Sequence, residues 1–289
     1  MRFVFLGTGT SSGVPAIGYE GPLAESSDPR DTRLRCSAAV IFEDATGQER
    51  VVLIDCGPDF RQQALRLGLT RLDAIVFTHN HVDHTWGLDE VRRFNVLQKG
   101  PVDIYAERRT LDHLRRAYQH IFESQKNVQP SFVASIIAHE ITPGQVERGE
   151  AIDLFGVRFV PIRLLHGRLP VLGYRIEAPA LGEGHRRAAG WLPLAYCTDV
   201  SAVPPESWGR LEGLSTLVLD ALRHRQHATH LTFGQAEGIA YRIGAGRTWF
   251  IHMGHDETHA NLDAIFPEGM GPAWDGLTLG GGGGSTAEA

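Results

Sequence analysis

The chain has 289 residues, 42% of them hydrophobic, with 34 acidic against 28 basic side chains and a formal charge of −6 at pH 7. That length supplies a core for one large domain or two small ones, and the negative balance argues against a protein that coats nucleic acid. Three scattered cysteines exclude a disulfide framework, no apolar run reaches the length of a membrane span, and a strand candidate at Arg2 leaves no room for a signal peptide, so a soluble cytoplasmic protein is expected.

Arg2 to Leu6 reads as a short apolar strand. The run Gly7-Thr8-Gly9-Thr10-Ser11-Ser12-Gly13-Val14-Pro15 follows it. No helical pattern comes directly after, so it reads as a tight turn and not a dinucleotide fingerprint. Gly18 to Arg35 is polar, carries Gly and Pro, and reads as loop. Ala38 to Phe42 and Val51 to Ile54 are strands joined hairpin-like across Asp44 to Gly47. The second ends in Asp55-Cys56-Gly57, and Pro58 to Leu67 reads as a helix with Pro near its start.

Leu72 to Phe77 reads as a buried strand that stops in Thr78-His79-Asn80-His81-Val82-Asp83-His84. Packing gives no reason for such an ending. Imidazole nitrogens and carboxylate oxygens are ligands for zinc, manganese or iron. Alternate side chains of an extended segment share a side. His79 and His81 can therefore close on one ion, while Asp83 and His84, past the start of a turn, can face a second.

His-x-His-x-Asp-His after a short strand resembles the metallo-β-lactamase superfamily, and the resemblance extends over about residues 1–279. It implies an α/β fold, an αββα sandwich of two mixed sheets flanked by helices. It also implies that the early glycine loop lies beside the metal site and that Asp55 supports the ligands from behind. Asp55 as a helix-capping or turn aspartate is the alternative.

Leu88 to Leu97 has helical spacing, and Val102 to Tyr105 is a strand. Arg108 to Phe122 reads as a helix whose Arg108, Arg109, Arg115 and Arg116 form a solvated face or a surface for substrate phosphate. Phe155 to Leu165 is a long strand running into His166-Gly167, and Val171 to Glu177 pairs with it. Ala178 to Ala189 is loop. Leu192 to Cys197 is a strand ending in Thr198-Asp199, Pro204 to Leu211 a short helix, and Leu214 to Leu219 a strand ending at Asp220. His224, His227 and His230 follow, and Thr232 can cap a helix running to Ile243. Thr248 to Ile251 is the last clear strand and ends in His252-Met253-Gly254-His255. No linker divides the chain, which reads as one domain over 1–279 with a flexible Gly-rich tail at 280–289.

Every ligand candidate follows the end of a strand, which brings His166, Asp199 and His252 to the edge that carries the first motif. By the resemblance, one divalent ion takes His79, His81, His166 and Asp199. The second takes Asp83, His84, His252 and the shared Asp199, with a water or hydroxide between them. Zinc, manganese and iron all suit such donors. His230, heading a helix shortly before the last metal histidine, resembles the general acid of the superfamily's phosphodiesterase branch; the alternative is a capping or surface histidine. Asp83 is counted as catalytic as well as a ligand, and Asp220 and His255 as supporting residues.

Within that branch the chain resembles the phosphoribosyl 1,2-cyclic phosphate phosphodiesterases of phosphonate breakdown. The likeness rests on Gly7 through Pro15, Thr78 through His84, Thr198-Asp199, Asp220 and His252 to His255. It implies hydrolysis of a small, cyclic phosphodiester, with no membrane partner and with a homodimer compatible. A transfer-RNA 3′-end endonuclease shares the early glycine loop and a similar general-acid histidine but would need a long basic arm, which is not seen. A non-catalytic metal scaffold in cofactor assembly would have lost ligands. A glyoxalase-type thioesterase lacks its C-terminal helical domain here. The resembling phosphodiesterases carry an additional structural zinc on cysteines of the loop after the first strand. Gly18 to Ala24 holds no cysteine, Cys36 is the nearest thiol, and His255 alone remains of that set. No third zinc is expected. The loop at 18–35 is then held by ordinary packing or left mobile, with His255 free to hydrogen bond near the site rim.

Overall fold

A computed structural model describes residues 1–129, 132–179 and 190–280. The first sheet contains β1 (Arg2–Gly7), β2 (Ser37–Glu43), β3 (Glu49–Ile54), β4 (Ala74–Val76), β5 (Val102–Glu107), β6 (Ile136–Ile141) and β14 (Thr278–Gly280). Its strand order is β14-β1-β2-β3-β4-β5-β6. The second contains β7 (Ile152–Leu154), β8 (Val157–His166), β9 (Leu169–Glu177), β10 (Leu194–Cys197), β11 (Thr216–Asp220), β12 (Arg247–Ile251) and β13 (Met270–Pro272), in the order β13-β12-β11-β10-β9-β8-β7. The helices are α1 (Phe60–Leu67), α2 (Val82–Thr85), α3 (Val91–Gln98), α4 (Arg108–Ala117), α5 (Gln119–Phe122), α6 (Pro143–Arg148), α7 (Phe233–Ile243) and α8 (His259–Ile265).

This is the expected αββα sandwich. Between the sheets Phe3, Phe5, Val40, Ile54 and Val76 meet Leu172, Tyr174, Ile176, Tyr196 and Val218. The outer face of the first sheet, with Leu53 and Ile75, packs on Phe60 of α1, Phe94 of α3 and Leu111 and Leu114 of α4. The second sheet's Leu217, Leu219 and Phe250 pack on Phe233, Ala236 and Ala240 of α7 and Leu262 of α8. Sheets covered on both faces need apolar residues at successive positions, so their strands read as continuous runs in the sequence. Each such side chain, fully buried, contributes roughly 1.5–3 kcal/mol.

Parallel pairing places the site. β3, β4, β5 and β6 run parallel, as do β10, β11, β12 and β13. Parallel strands share the edge at which their C-terminal ends emerge. The register pairs Cys197 with Leu219 and Asp220 with Ile251, so the segments beginning at Thr198, Asp220 and His252 leave the sheet side by side.

The expectations differ from the fold at several places. The strand starting at Phe155 begins at Val157, because Phe155-Gly156 form the turn after β7 and Gly156 N–H donates to Asp153. The helix from Arg108 breaks at Tyr118, whose hydroxyl donates to Thr85 O. β6, α6, α8, β13 and β14 were not anticipated. β6 is an edge strand with a half-exposed alternation, and β13 and β14 span only three residues each. Gly280 pairs with Arg2 and so belongs to the sheet and not to the tail. The rest of that tail, 281–289, and residues 180–189 of the loop predicted over 178–189 lie outside the described residues. Thr232 caps α7 in a reciprocal capping box with Gln235. Among the described residues no helix is long and apolar enough to cross a membrane.

Candidate metal centre

Asp55, Asp199 and His252 each stand one or two residues beyond a buried strand, and each has a left-handed backbone, with φ of 62°, 55° and 60°. They are three of the five non-glycine residues with positive φ among the described residues. Such conformations cost about 1–3 kcal/mol each and persist where the surroundings hold them. Here they turn the chain sharply at the edge where the first motif lies.

Two groups of donors form there. His79, His81, His166 and Asp199 make one, and Asp83, His84, Asp199 and His252 the other; within each, the ligand atoms lie within 4.8 Å of one another. Asp199 belongs to both. Its Oδ1 is 4.0 Å from His79 Nε2, 3.9 Å from His166 Nε2 and 3.4 Å from His252 Nε2. Its Oδ2 is 3.1 Å from His84 Nε2, which is 3.2 Å from Asp83 Oδ2. The short helix α2 brings Asp83 and His84 round after His79 and His81 have passed in extended chain.

Bonds behind the rings fix which nitrogen faces the cleft. Asp55 accepts from Thr78 N–H at 2.8 Å, Thr78 Oγ1 at 2.8 Å and His84 Nδ1 at 2.7 Å. With its proton given to Asp55, Thr78 Oγ1 accepts from His79 Nδ1 at 3.0 Å. His166 Nδ1 donates to Thr229 O at 2.8 Å. Each ring is thereby held with Nε2 available, the arrangement metal-binding histidines require. Asp55 thus holds Thr78 and His84 in place and caps no helix.

The donors fit divalent cations. Among the described residues His79 Nε2, His84 Nε2 and His252 Nε2 are buried without a hydrogen-bond partner, a state that few buried polar atoms tolerate. Burial, with His84 nearby, pushes His79 well below the usual imidazole range and keeps it neutral, as a ligand must be. Burial disfavours charge on His84 and His252 too. The Asp199 and Asp83 carboxylates outweigh it, drawing His84 well up and His252 up to about 9. The cleft therefore attracts positive charge, in the form of protons where no cation replaces them.

A third group adjoins the second: Asp220, His230 and His252. His230 Nδ1 donates to Asp220 Oδ1 at 2.9 Å, and Leu231 N–H to Oδ2 at 3.0 Å. The His230 ring stacks on His252 with centroids 4.5 Å apart and meets the His166 ring edge-on at 4.6 Å. Asp220 Oδ1 also lies 3.6 Å from His252 Nδ1. His255 joins none of these groups. It packs on the Tyr19 ring at 4.6 Å, and Tyr19 OH donates to its carbonyl. His224 pairs with Glu257 on the surface.

Sequence reasoning assigned no role to Thr78 or to the Thr229 carbonyl. It also missed a buried cluster of Arg33, Asp31, His259 and Asp275 that anchors the loop at 18–35. Ordinary packing is therefore only part of what holds that loop. A backbone acceptor carries no residue-type signal, and the cluster joins segments more than 200 positions apart.

The profile of the beta-lactamase superfamily domain matches residues 50–253, the stretch that contains every member of the two donor groups. The chain belongs to the beta-lactamase superfamily. A solved structure described as a new diphosphatase from the PhnP family is 38% identical, covers 96% of this chain and 96% of its own, and superposes with a TM-score of 0.81. An octanoyltransferase of Porphyromonas gingivalis is 34% identical over 279 residues, 96% of this chain; the chain spans about half of that relative, 51%. A ribonuclease Z of Nostoc sp. is 26% identical over 226 residues, 76% of this chain and 58% of the relative. As a member of this superfamily with two such donor groups, the chain is a metal-dependent hydrolase.

Proposed function

We propose that the chain hydrolyses a small phosphodiester, a cyclic one by its resemblance, with His230 as general acid. Two divalent cations, zinc, manganese or iron, held by His79, His81, His166 and Asp199 and by Asp83, His84, His252 and Asp199, would acidify a water and neutralise charge on the phosphoryl oxygens. The observation that carries the reading is the Asp220–His230 pair stacked against His252. Asp220 holds the ring by Nδ1, leaving Nε2 to deliver a proton to the departing alkoxide. Such proton delivery is worth about 10²–10⁴-fold. Asp83 is held low despite burial by His84 and His252, so it serves as an anionic ligand and acceptor, not as a proton donor.

A hydrolysis panel tests this: bis-p-nitrophenyl phosphate, phosphoribosyl cyclic phosphate, cyclic nucleotides, a diphosphate ester, a transfer-RNA precursor and a thioester. Chelator-sensitive diester turnover is expected. Robust thioester or β-lactam turnover without any diester turnover would overturn the proposal. Transfer-RNA 3′-end processing is the second reading, supported by the similarity to a ribonuclease Z and opposed by the net charge of −6. Preferential cleavage of the precursor would favour it.

A further inference from the structure

Beside His230 stands an imidazole that the proposed mechanism leaves unused. His227 is half-buried, its ring centroid 5.1 Å from that of His230 and inclined to it by 42°. Its Nδ1 accepts from the Thr229 backbone N–H at 3.3 Å and lies 3.1 Å from Thr229 Oγ1. A backbone amide only donates, so Nδ1 carries no proton and the neutral ring is the Nε2–H tautomer. Among the described residues no hydrogen-bond partner meets that Nε2. His230 is held in the opposite sense, its Nδ1 donating to a carboxylate. Two histidines three positions apart are thus given different tasks by what their Nδ1 atoms touch.

Thr229 is itself fixed to the donor groups. Its carbonyl takes the His166 Nδ1 proton, and its methyl group lies 2.8 Å from where a Cβ on Gly167 would be, so only glycine allows this approach. The donor is therefore preorganised, which spares the ordering cost of binding. Burial, with His230 and Arg223 nearby, holds the ring below the usual imidazole range, in the neutral form.

We infer that His227 is a substrate-binding residue whose Nε2–H donates to a non-bridging phosphoryl oxygen, while His230 serves the leaving-group oxygen. This rests on the phosphodiester reading above. The test compares His227→Ala and His227→Gln in the metal-loaded protein. The alanine variant should lower kcat/KM about ten- to a hundredfold, the range for a hydrogen bond to a charged group. The loss should be equal for p-nitrophenolate and alkoxide leaving groups, with metal content unchanged. The glutamine variant, which keeps an N–H donor, should recover to within about threefold of the parent. Calorimetry with inorganic phosphate should show affinity falling by a similar factor in the alanine variant. Nitrogen-detected NMR of the histidines should report the Nε2–H tautomer for His227. A loss that grows with leaving-group pKa, an unchanged phosphate affinity or the Nδ1–H tautomer would overturn the assignment. Parent protein that binds phosphate through His227 yet turns over no diester keeps the assignment and overturns the diester reading. Diester turnover indifferent to His227 does the reverse.

Discussion

Two buried polar clusters flank the turn at His252-Met253, and they handle charge in opposite ways. On one side the carboxylates of Asp83 and Asp199, with Asp55 behind them, have histidines as their charge partners; among the described residues no lysine or arginine pairs with these three. On the other side Arg33 brings its own cation. Its guanidinium donates to Ala273 O at 2.5 Å and Thr8 Oγ1 at 3.3 Å, and faces His259 Nδ1 at 3.1 Å. His259 N–H donates to Asp31 at 2.6 Å, and Asp275 accepts from Thr8 and Leu34. Burial lowers Arg33 to about 10, offset in part by Asp275 and Asp31, so it remains charged near neutral pH. Thr8 and Thr10 then bond across to Met253, joining the two clusters. Similar residue types therefore build a closed support in one place and an open cation site in the other. Where the compensating charge comes from decides the difference.

Breaking the open cluster has the largest expected effect. Asp199→Ala removes the residue common to both donor groups, so metal analysis should show both ions lost, and turnover should fall by more than about 10⁴-fold. Retention of both metals would show that Asp199 is not shared.

Breaking the closed cluster comes next. Arg33→Met removes the donor from Ala273 O and His259 Nδ1 in a buried site and should cost about 1–3 kcal/mol in urea unfolding. Stability within about 0.5 kcal/mol of the parent would mean the cluster is not a support.

His230→Ala sharpens the boundary between binding a metal and using one. Both ions should stay bound, and turnover should fall about 10²–10⁴-fold with alkoxide leaving groups and much less with p-nitrophenolate. Reduced metal content would instead make His230 a ligand.

The two clusters should also respond oppositely to pH. Burial and Arg33 depress His259 to about 4. An unfolded histidine binds a proton below about 6.5, so the folded state loses stability as pH falls from there toward 4. His252, raised to about 9 without metal, holds a proton that the unfolded chain releases first. Its contribution is present below about 6.5 and is lost as pH rises through 9. Chelator-treated protein should therefore lose stability on both sides in pH-dependent melts. His259→Asn should flatten the acid side alone, and metal loading the alkaline side. Steepening of the alkaline side on metal loading would contradict this.

The smallest effect is expected at His255. Its contact with Tyr19 is worth about 0.5–1.5 kcal/mol, and His255→Ala should shift melting by that much without changing metal content. Three ions per chain, one of them lost on changing Cys36 or His255, would reveal a rebuilt third site.

What could be read from the sequence was local. A strand of three to seven residues, its apolar run and the histidines at its end lie within one short window. The first motif, the strand ends at His166, Asp199, Asp220 and His252, and the capped helix after Thr232 were visible for that reason. β13 and β14 are too short to carry a periodic signal, and they exist because a neighbouring strand offers hydrogen bonds. By itself the sequence determined which side chains could bind a cation and that buried strands would carry them. The tertiary structure alone decided that Nδ1 of His227 accepts a hydrogen bond where Nδ1 of His230 donates one, that the Thr229 carbonyl holds His166, and that Arg33 meets His259. Those outcomes depend on crossovers that align strand ends far apart in the chain, and a hydrogen bond between distant residues leaves no period in the sequence.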